Sequence, residues 1–517
     1  MGKAERVRNA RLAIEEKKQE QRALEQKKAR RARRVNISLA AVAAGLLIAF
    51  VGGLMFYNRG IETGAFLRRK TALKSEHFSM NAATYTYFFN YQYQSFINNN
   101  STKLKSYGLD VETSLRDQEQ SSGKTWFDYF INQTTQNLSE LMYLSEMAKA
   151  EGMELNEAGK KQLEIFFESL DKTAQEMKMK TKDYIYAAYG QGVSREDIRK
   201  GLELSLLATQ YYNEKVGAKT YTDAEIEEYY KENINDFRTV NYKQYSFYPS
   251  TTDGMTDEQK NAAKQVAADK ASRLAKAKTP AEFDRILTAI LKEDGSDDEA
   301  VKTALSKSLV ENSTYDESFE ISKWAFGGDA RLYATRTYDN GSYVATYMIA
   351  ALPRRDESET RSVRHILIKS SGEAADAEAK KKAEEILEKF KKNPSTENFS
   401  NLALEYSEDP GSAQTGGLYE NFTRESMVTA FSDWSFDATR KTGDTGIVKT
   451  DYGYHIMCFE GVGQPKWRAD VVAAMKNDFY NGLYKQAKDT YKVESDENAL
   501  QAVPEIRVRS ATTSSAA

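Results

Sequence analysis

The sequence predicts an α+β chain of several domains behind one N-terminal transmembrane helix. Three observations predict it. Ile37–Tyr57 runs for 21 residues without a charge, long enough to cross a hydrocarbon core of about 30 Å. Residues 75–220 carry aromatic and aliphatic side chains at helical spacing. Two later stretches, 238–352 and 361–461, each run from a β-branched strand through helices to a closing hairpin. The chain has 517 residues, 40% of them hydrophobic and 11% aromatic, enough for several real cores.

Residues 1–34 read as a basic cytoplasmic helix, with 13 Lys/Arg against 5 Glu, a net +8. The remaining residues then carry −11 of the overall −3. A basic stub can bind anionic lipid or nucleic acid, or simply set topology beside a hydrophobic span. The acidic body argues against nucleic acid as the main partner. Residues 35–57 form the expected anchor. Nine Lys/Arg precede the span within 20 residues and five follow it, so the N-terminus faces the cytoplasm and the bulk of the chain lies outside. A cleaved signal peptide is the competing reading. Its charged region is normally short, and no small-x-small cleavage site follows Tyr57.

Residues 58–237 form the expected helical domain. Thr84–Phe96 holds seven aromatic residues, and Phe127, Phe130, Ile131, Leu138, Leu141 and Met142 follow helical spacing. Ser194 with Asp197, and Thr222 with Glu225, have the spacing of capping boxes. The aromatics fit either a cradle for unfolded chains or an ordinary helix-bundle core. Residues 466–496 read as a final helix and 497–517 as a disordered tail.

Chemistry concentrates between Arg361 and Gly461. Val363-Arg364-His365-Ile366-Leu367-Ile368-Lys369 opens this stretch as a strand. Helices follow over Ala374–Lys392, Thr396–Tyr406 and near Arg424–Ser432. Between them lie Tyr406-Ser407-Glu408-Asp409-Pro410-Gly411-Ser412-Ala413 and Gly416-Gly417, and Asp451-Tyr452-Gly453-Tyr454-His455-Ile456-Met457 closes the stretch. Of three histidines, His365 and His455 sit at its two ends, while His77 stands apart. The single cysteine, Cys458, cannot form an internal disulfide, and strand alternation turns it away from His455. No P-loop, dinucleotide fingerprint or zinc-ligand spacing is present in the sequence, so no cofactor or metal is expected.

In this order the motifs resemble those of the parvulin-type peptidyl-prolyl isomerases. They look most like the membrane-anchored extracytoplasmic foldases of the PrsA and SurA kind. The match spans 357–465 and implies a parvulin domain there, with 58–237 a PrsA/SurA-like helical chaperone domain. It also makes sense of 238–355 as a degenerate parvulin-like copy, the alternative being an unrelated helical insertion with chance matches. Val240-Asn241-Tyr242 stands where Val363-Arg364-His365 stands later. Trp324-Ala325-Phe326 echoes Trp434-Ser435-Phe436, and Asp339-Asn340-Gly341-Ser342-Tyr343 echoes the segment ending in His455.

The resemblance also implies site roles. Met427 and Phe431, four apart on a helix, would form the proline slot, with Leu418 and Phe422 as walls. Asp409 would sit beside the substrate carbonyl. His365 and His455 would bond to each other on neighbouring strands, with Thr450 anchoring one of them. Taken without the resemblance, two histidines in a β core are equally well read as satisfied structural residues. The expected partners are unfolded or newly exported polypeptides containing X-Pro bonds. The alternative is a non-catalytic chaperone that keeps the fold as a binding module. One departure bears on this choice. The family's Gly-Gly-Asp-Leu-Gly reads here as Gly416-Gly417-Leu418-Tyr419-Glu420-Asn421-Phe422, without the last glycine. The loop after the first strand lacks the arginine cluster of phosphate-directed members.

Overall fold

Burial, rather than helix propensity alone, sorts the aromatic residues of the N-terminal half. The computed structural model describes residues 63–506 apart from positions 122, 371 and 410. The expected basic helix (1–34), the anchor (35–57) and positions 507–517 of the tail lie outside the described residues. Among the described residues, no helix is long and apolar enough to cross a membrane. The chain divides into two units. One comprises the described residues up to Glu154 together with Asp171–Ala208 and those from Thr490 onward. The other comprises Leu155–Leu170 and Thr209–Asp489.

In the first unit the helix Ala82–Asn99 packs on the helix Trp126–Ala150. Tyr85, Phe89 and Tyr93 interdigitate with Phe127, Phe130, Leu138 and Met142, all fully or almost fully buried. These aromatics are therefore core, and Tyr91 is an exposed exception on the same helix. The helix starts are capped by short polar side chains. Asn81 accepts from the Thr84 N–H, and Thr125 and Asp128 bond reciprocally. Ser194 and Asp197 form a further reciprocal pair. A three-stranded antiparallel sheet joins Glu494–Ser495 to Thr71–Lys74 and Ser79–Asn81.

The sheet leads to a correction. Residues 497–506, expected to open a disordered tail, instead continue into this core. Glu497–Leu500 is a helical turn capped by Asp496, and Ala499, Leu500 and Val503 are buried with the aromatic cluster. Their apolar side chains gain more from burial than the short turn costs to order.

The second unit holds two sheets of one topology. The first copy consists of strands β1 (Arg238–Phe247), β2 (Leu309–Thr314), β3 (Thr335–Asp339) and β4 (Val344–Arg355). Its helices are α1 (Asp257–Leu274), α2 (Pro280–Glu293), α3 (Asp298–Ser308) and α4 (Glu320–Phe326). The second copy consists of β5 (Arg361–Lys369), β6 (Leu418–Phe422), β7 (Thr445–Thr450) and β8 (Gly453–Val462), with α5 (Glu373–Lys392), α6 (Thr396–Tyr406) and α7 (Thr429–Ser435). The strand orders, β2-β1-β4-β3 and β6-β5-β8-β7, are the same pattern. Helix α8 (Lys466–Thr490) follows. Its Trp467 packs with Tyr230 and Phe237, and the Arg355 guanidinium lies 4.1 Å from the Trp467 ring and 4.2 Å from that of Tyr230.

Register fixes which residues correspond between the copies. Tyr242 pairs with Ile349 as His365 pairs with Met457. Two residues on, Gln244 pairs with Tyr347 as Leu367 pairs with His455. Tyr347, not Tyr343, therefore occupies the place of His455. Sequence spacing misplaces it because the β3–β4 pairing starts at Asp339↔Val344 and leaves a longer turn than Thr450↔Gly453. The Tyr242 and Tyr347 rings lie 5.7 Å apart. Where the second copy has the Asp409 loop, α3 of the first runs directly into β2.

A test separates a packed C-terminal segment from a tail. Leu500→Ala should lower the stability of the first unit by about 2–5 kcal/mol, as for a buried leucine, measured by urea or thermal denaturation. A disordered segment would leave the transition unmoved.

Candidate active site

Alternation along β5 and β8 divides the second sheet into two faces. Ile366, Ile368, Ile456 and Cys458 turn to α5 and α6, packing with Ala383, Ile386, Phe390 and Phe399. Burial pushes the Cys458 thiol up to about 11, which makes it an inert core side chain. Val363, Met457 and Phe459 turn the other way, onto Phe422, Phe431 and Val448. His365 and His455 belong by register to this second face, and both are buried.

The two imidazoles stack with centroids 5.2 Å apart, and their Nδ1 atoms are 3.1 Å apart. Each histidine has a second partner. His365 Nε2 lies 3.0 Å from Asp409 Oδ2, and His455 Nε2 lies 2.8 Å from Thr450 Oγ1. These contacts assign the tautomers. The ionised Asp409 carboxylate can only accept, so His365 carries its hydrogen on Nε2. His365 Nδ1 then accepts from His455 Nδ1–H, and His455 Nε2 accepts from the Thr450 hydroxyl. Thr450 Oγ1 in turn receives the Tyr452 N–H at 3.2 Å. The result is one directed chain from the β7–β8 turn to the Asp409 carboxylate.

The loop carrying Asp409 is tied to β5 by main-chain bonds. Glu408 N–H donates to Leu367 O at 2.8 Å, and His365 N–H donates to Gly417 O at 2.8 Å. Gly417 has φ +77°, and a Cβ there would lie 2.2 Å from His365 O, so only glycine lets the loop close on the strand. Burial alone would raise the Asp409 carboxyl. Hydrogen bonds from His365, Ser412 and Tyr419 outweigh it and hold the group well below the usual carboxylate range. Burial, followed by the neighbouring His365, pushes His455 down from 6.5 to about 4, so it stays neutral at neutral pH.

An apolar slot adjoins this chain. The Phe431 ring meets both imidazoles edge-on, with centroids 5.3 Å from His365 and 5.5 Å from His455. Phe422 packs against Phe431 at 5.8 Å, and Met427 and Trp434 lie on the same cluster. Met427 and Phe431 thus meet, but not as helix neighbours. Met427 is extended and precedes α7, so the expected four-residue helical spacing does not describe it. Leu418 does not join the cluster. It is next to Tyr419 on β6, and alternation turns it from the face that Tyr419 occupies. His77 belongs to the other unit, where its Nδ1 lies 2.7 Å from the buried Glu146 carboxylate.

Two residues of the site were missed in the sequence. Ser412 donates to Asp409 Oδ2 at 2.6 Å and lies 2.9 Å from His365 Nε2. Tyr419 donates to the same oxygen at 3.1 Å and stacks on His365 at 5.3 Å. Asp and Ser three apart beside glycine could have signalled the first. The second was hidden because Leu418–Phe422 is a short edge strand with two polar residues. Glu420 stands where the family has the last glycine of this loop, and the left-handed backbone falls one residue on, at Asn421 with φ +49°, a residue that tolerates it.

Comparison with known proteins fits this geometry. Residues 347–460 match the family of the PPIC-type PPIase domain. These residues form a parvulin-type domain. The parvulin domain is 43% identical over 94 residues to the foldase protein PrsA of Geobacillus sp. (strain WCH70), covering 18% of this chain and 29% of that protein. It is 36% identical over 99 residues to the chaperone SurA of Pseudomonas putida, covering 18% and 21%. The chain thus spans less than a third of the length of these curated relatives. The crystal structure of PrsA from Bacillus subtilis aligns at 20% identity over 62% of this chain and 91% of that one, with a TM-score of 0.19.

The shifted groups set a pH window. Between pH 6.5 and 4 the unfolded His455 takes up a proton that the native one refuses, so stability falls as pH falls through that range, by up to about 3 kcal/mol. Below this window, acid removes the Asp409 contribution in turn, because its native carboxyl titrates below its unfolded one. Denaturant unfolding at pH 7 and pH 4.5 should show the loss in the native protein and a flatter profile in His455→Gln.

Proposed function

We propose that this chain is a peptidyl-prolyl cis–trans isomerase and foldase. It acts on unfolded or newly exported polypeptides outside the cytoplasmic membrane, anchored by 37–57. The observation that carries the reading is the apolar slot of Phe422, Met427 and Phe431 lying directly against the chain Thr450–His455–His365–Asp409. The uncharged span and the excess of Lys/Arg before it support the location.

The reaction makes and breaks no covalent bond. Rotation about X-Pro meets a barrier near 20 kcal/mol, set by amide resonance. That resonance places negative charge on the carbonyl oxygen. The slot holds the proline ring away from water. The fixed Asp409 carboxylate beside the carbonyl then disfavours the planar, charge-separated form, so the twisted amide is relatively favoured. The histidine chain keeps the carboxylate in one place and one protonation state.

The first copy lacks these groups. Tyr242 and Tyr347 replace the histidines, and α3 replaces the loop that carries Asp409. It therefore serves as a non-catalytic copy, and this favours the second reading, a binding module, for that copy alone.

Full-length protein with a proline peptide substrate tests the proposal. Asp409→Ala should lower kcat/KM by about tenfold to a hundredfold, about 1.4–2.7 kcal/mol of lost preference for the twisted amide. Phe431→Ala should raise KM, and Tyr242→Phe in the first copy should change neither constant. An inactive native protein, or an Asp409→Ala variant as active as the native one, would transfer the binding-module reading to the second copy as well.

A further inference from the structure

We propose that Tyr419 is a positioning residue of this site: its hydroxyl fixes the Asp409 carboxylate, and its ring joins the polar chain to the proline slot. The proposal rests on the isomerase reading above.

Three donors converge on a single oxygen. Asp409 Oδ2 receives Ser412 Oγ at 2.6 Å, His365 Nε2 at 3.0 Å and Tyr419 Oη at 3.1 Å. They come from three places in the fold: the loop itself, the inner strand β5 and the edge strand β6. A carboxylate held from three directions through one oxygen cannot swing about its Cβ–Cγ bond without breaking a charge-assisted bond. Among the described residues, no side chain engages Oδ1, so the arrangement presents that oxygen.

The Tyr419 ring ties this lock to the slot. It lies nearly parallel to His365, at 27° and 5.3 Å, and edge-on to Phe431 at 6.5 Å. It is therefore in contact with both the polar and the apolar halves of the site. The loop is shaped around the phenol. A Cβ on Gly411 would come within 2.5 Å of the Tyr419 hydroxyl, so that position admits no side chain while the tyrosine is in place. Burial, the Asp409 charge and the bond to it push the phenol up to about 12, so it remains a donor throughout the working range.

The titratable groups facing Asp409 are His365 on β5 and Tyr419 on β6, with His455 of β8 behind His365. Removing the hydroxyl leaves two donors and weakens the carboxylate against protonation. In full-length protein, Tyr419→Phe should lower kcat several-fold. KM should hold, because the ring remains. Tyr419→Leu should also lower kcat several-fold, since it too lacks the hydroxyl.

The three histidines give a readout that is independent of turnover. In 15N spectra, the His365 Nε2 signal should shift in Tyr419→Phe. Wild-type kcat and histidine spectra in Tyr419→Phe would overturn the proposal and leave Tyr419 as packing. A fall in kcat and a shifted His365 signal in Tyr419→Leu alone would overturn it as well, by assigning the effect to the ring. A native protein that turns over no X-Pro peptide would instead overturn the isomerase reading, and the spectra would still decide whether Tyr419 holds Asp409.

Discussion

The candidate active site of the parvulin-type domain depends on one buried contact, the 3.1 Å approach of the His365 and His455 Nδ1 atoms. Two imidazoles can share such a contact only if one ring donates and the other accepts, so neither is free to choose its tautomer. The choice is made at the ends. A threonine hydroxyl, itself receiving a main-chain N–H, supplies one end, and a carboxylate that can only accept closes the other. Direction is thus imposed on the whole chain by the β7–β8 turn and by the Asp409 loop. Burial holds His455 neutral, so the direction of the chain is kept at neutral pH.

How much of this could be read from the sequence follows from what kind of information each element carries. Helix α6 and the strand containing His365 have strong local patterns, and their place in the chain was legible. The histidine pair, Asp409, Thr450, Phe422 and Phe431 were legible through ordered motifs. Met427 was found for the wrong reason, because a proximity read as helical spacing arises from an extended segment folding onto α7. Tyr419 was not legible at all. Its role depends on which face of an edge strand it takes, and that is set by pairing with β5 rather than by local composition. Leu418, chosen in its place, is one residue away and on the other face.

The first copy shows how a sheet keeps its pairing after its polar pair has gone. The register is the same and the two inner strands still carry a facing pair of rings, now tyrosines. The Tyr242 and Tyr347 rings pack edge-on at 5.7 Å, and the strand pairing is kept. The Asp409 loop has no comparable substitute, because a helix running directly into the next strand has no room for a carboxylate aimed at the sheet. Topology here is held by the apolar faces, and the chemistry by a loop that the topology does not require.

The three-stranded sheet of the first unit pairs Thr71–Lys74 with Glu494–Ser495, across more than four hundred residues. A chain made or exported from its N-terminus presents the first of these strands long before the second exists. The aromatic core of that unit also awaits Leu500 and Val503. The two intervening four-stranded sheets contain all of their own strands and can finish first. Order of emergence therefore makes the helical unit the last to close, and only a chain synthesised through Val503 can complete it.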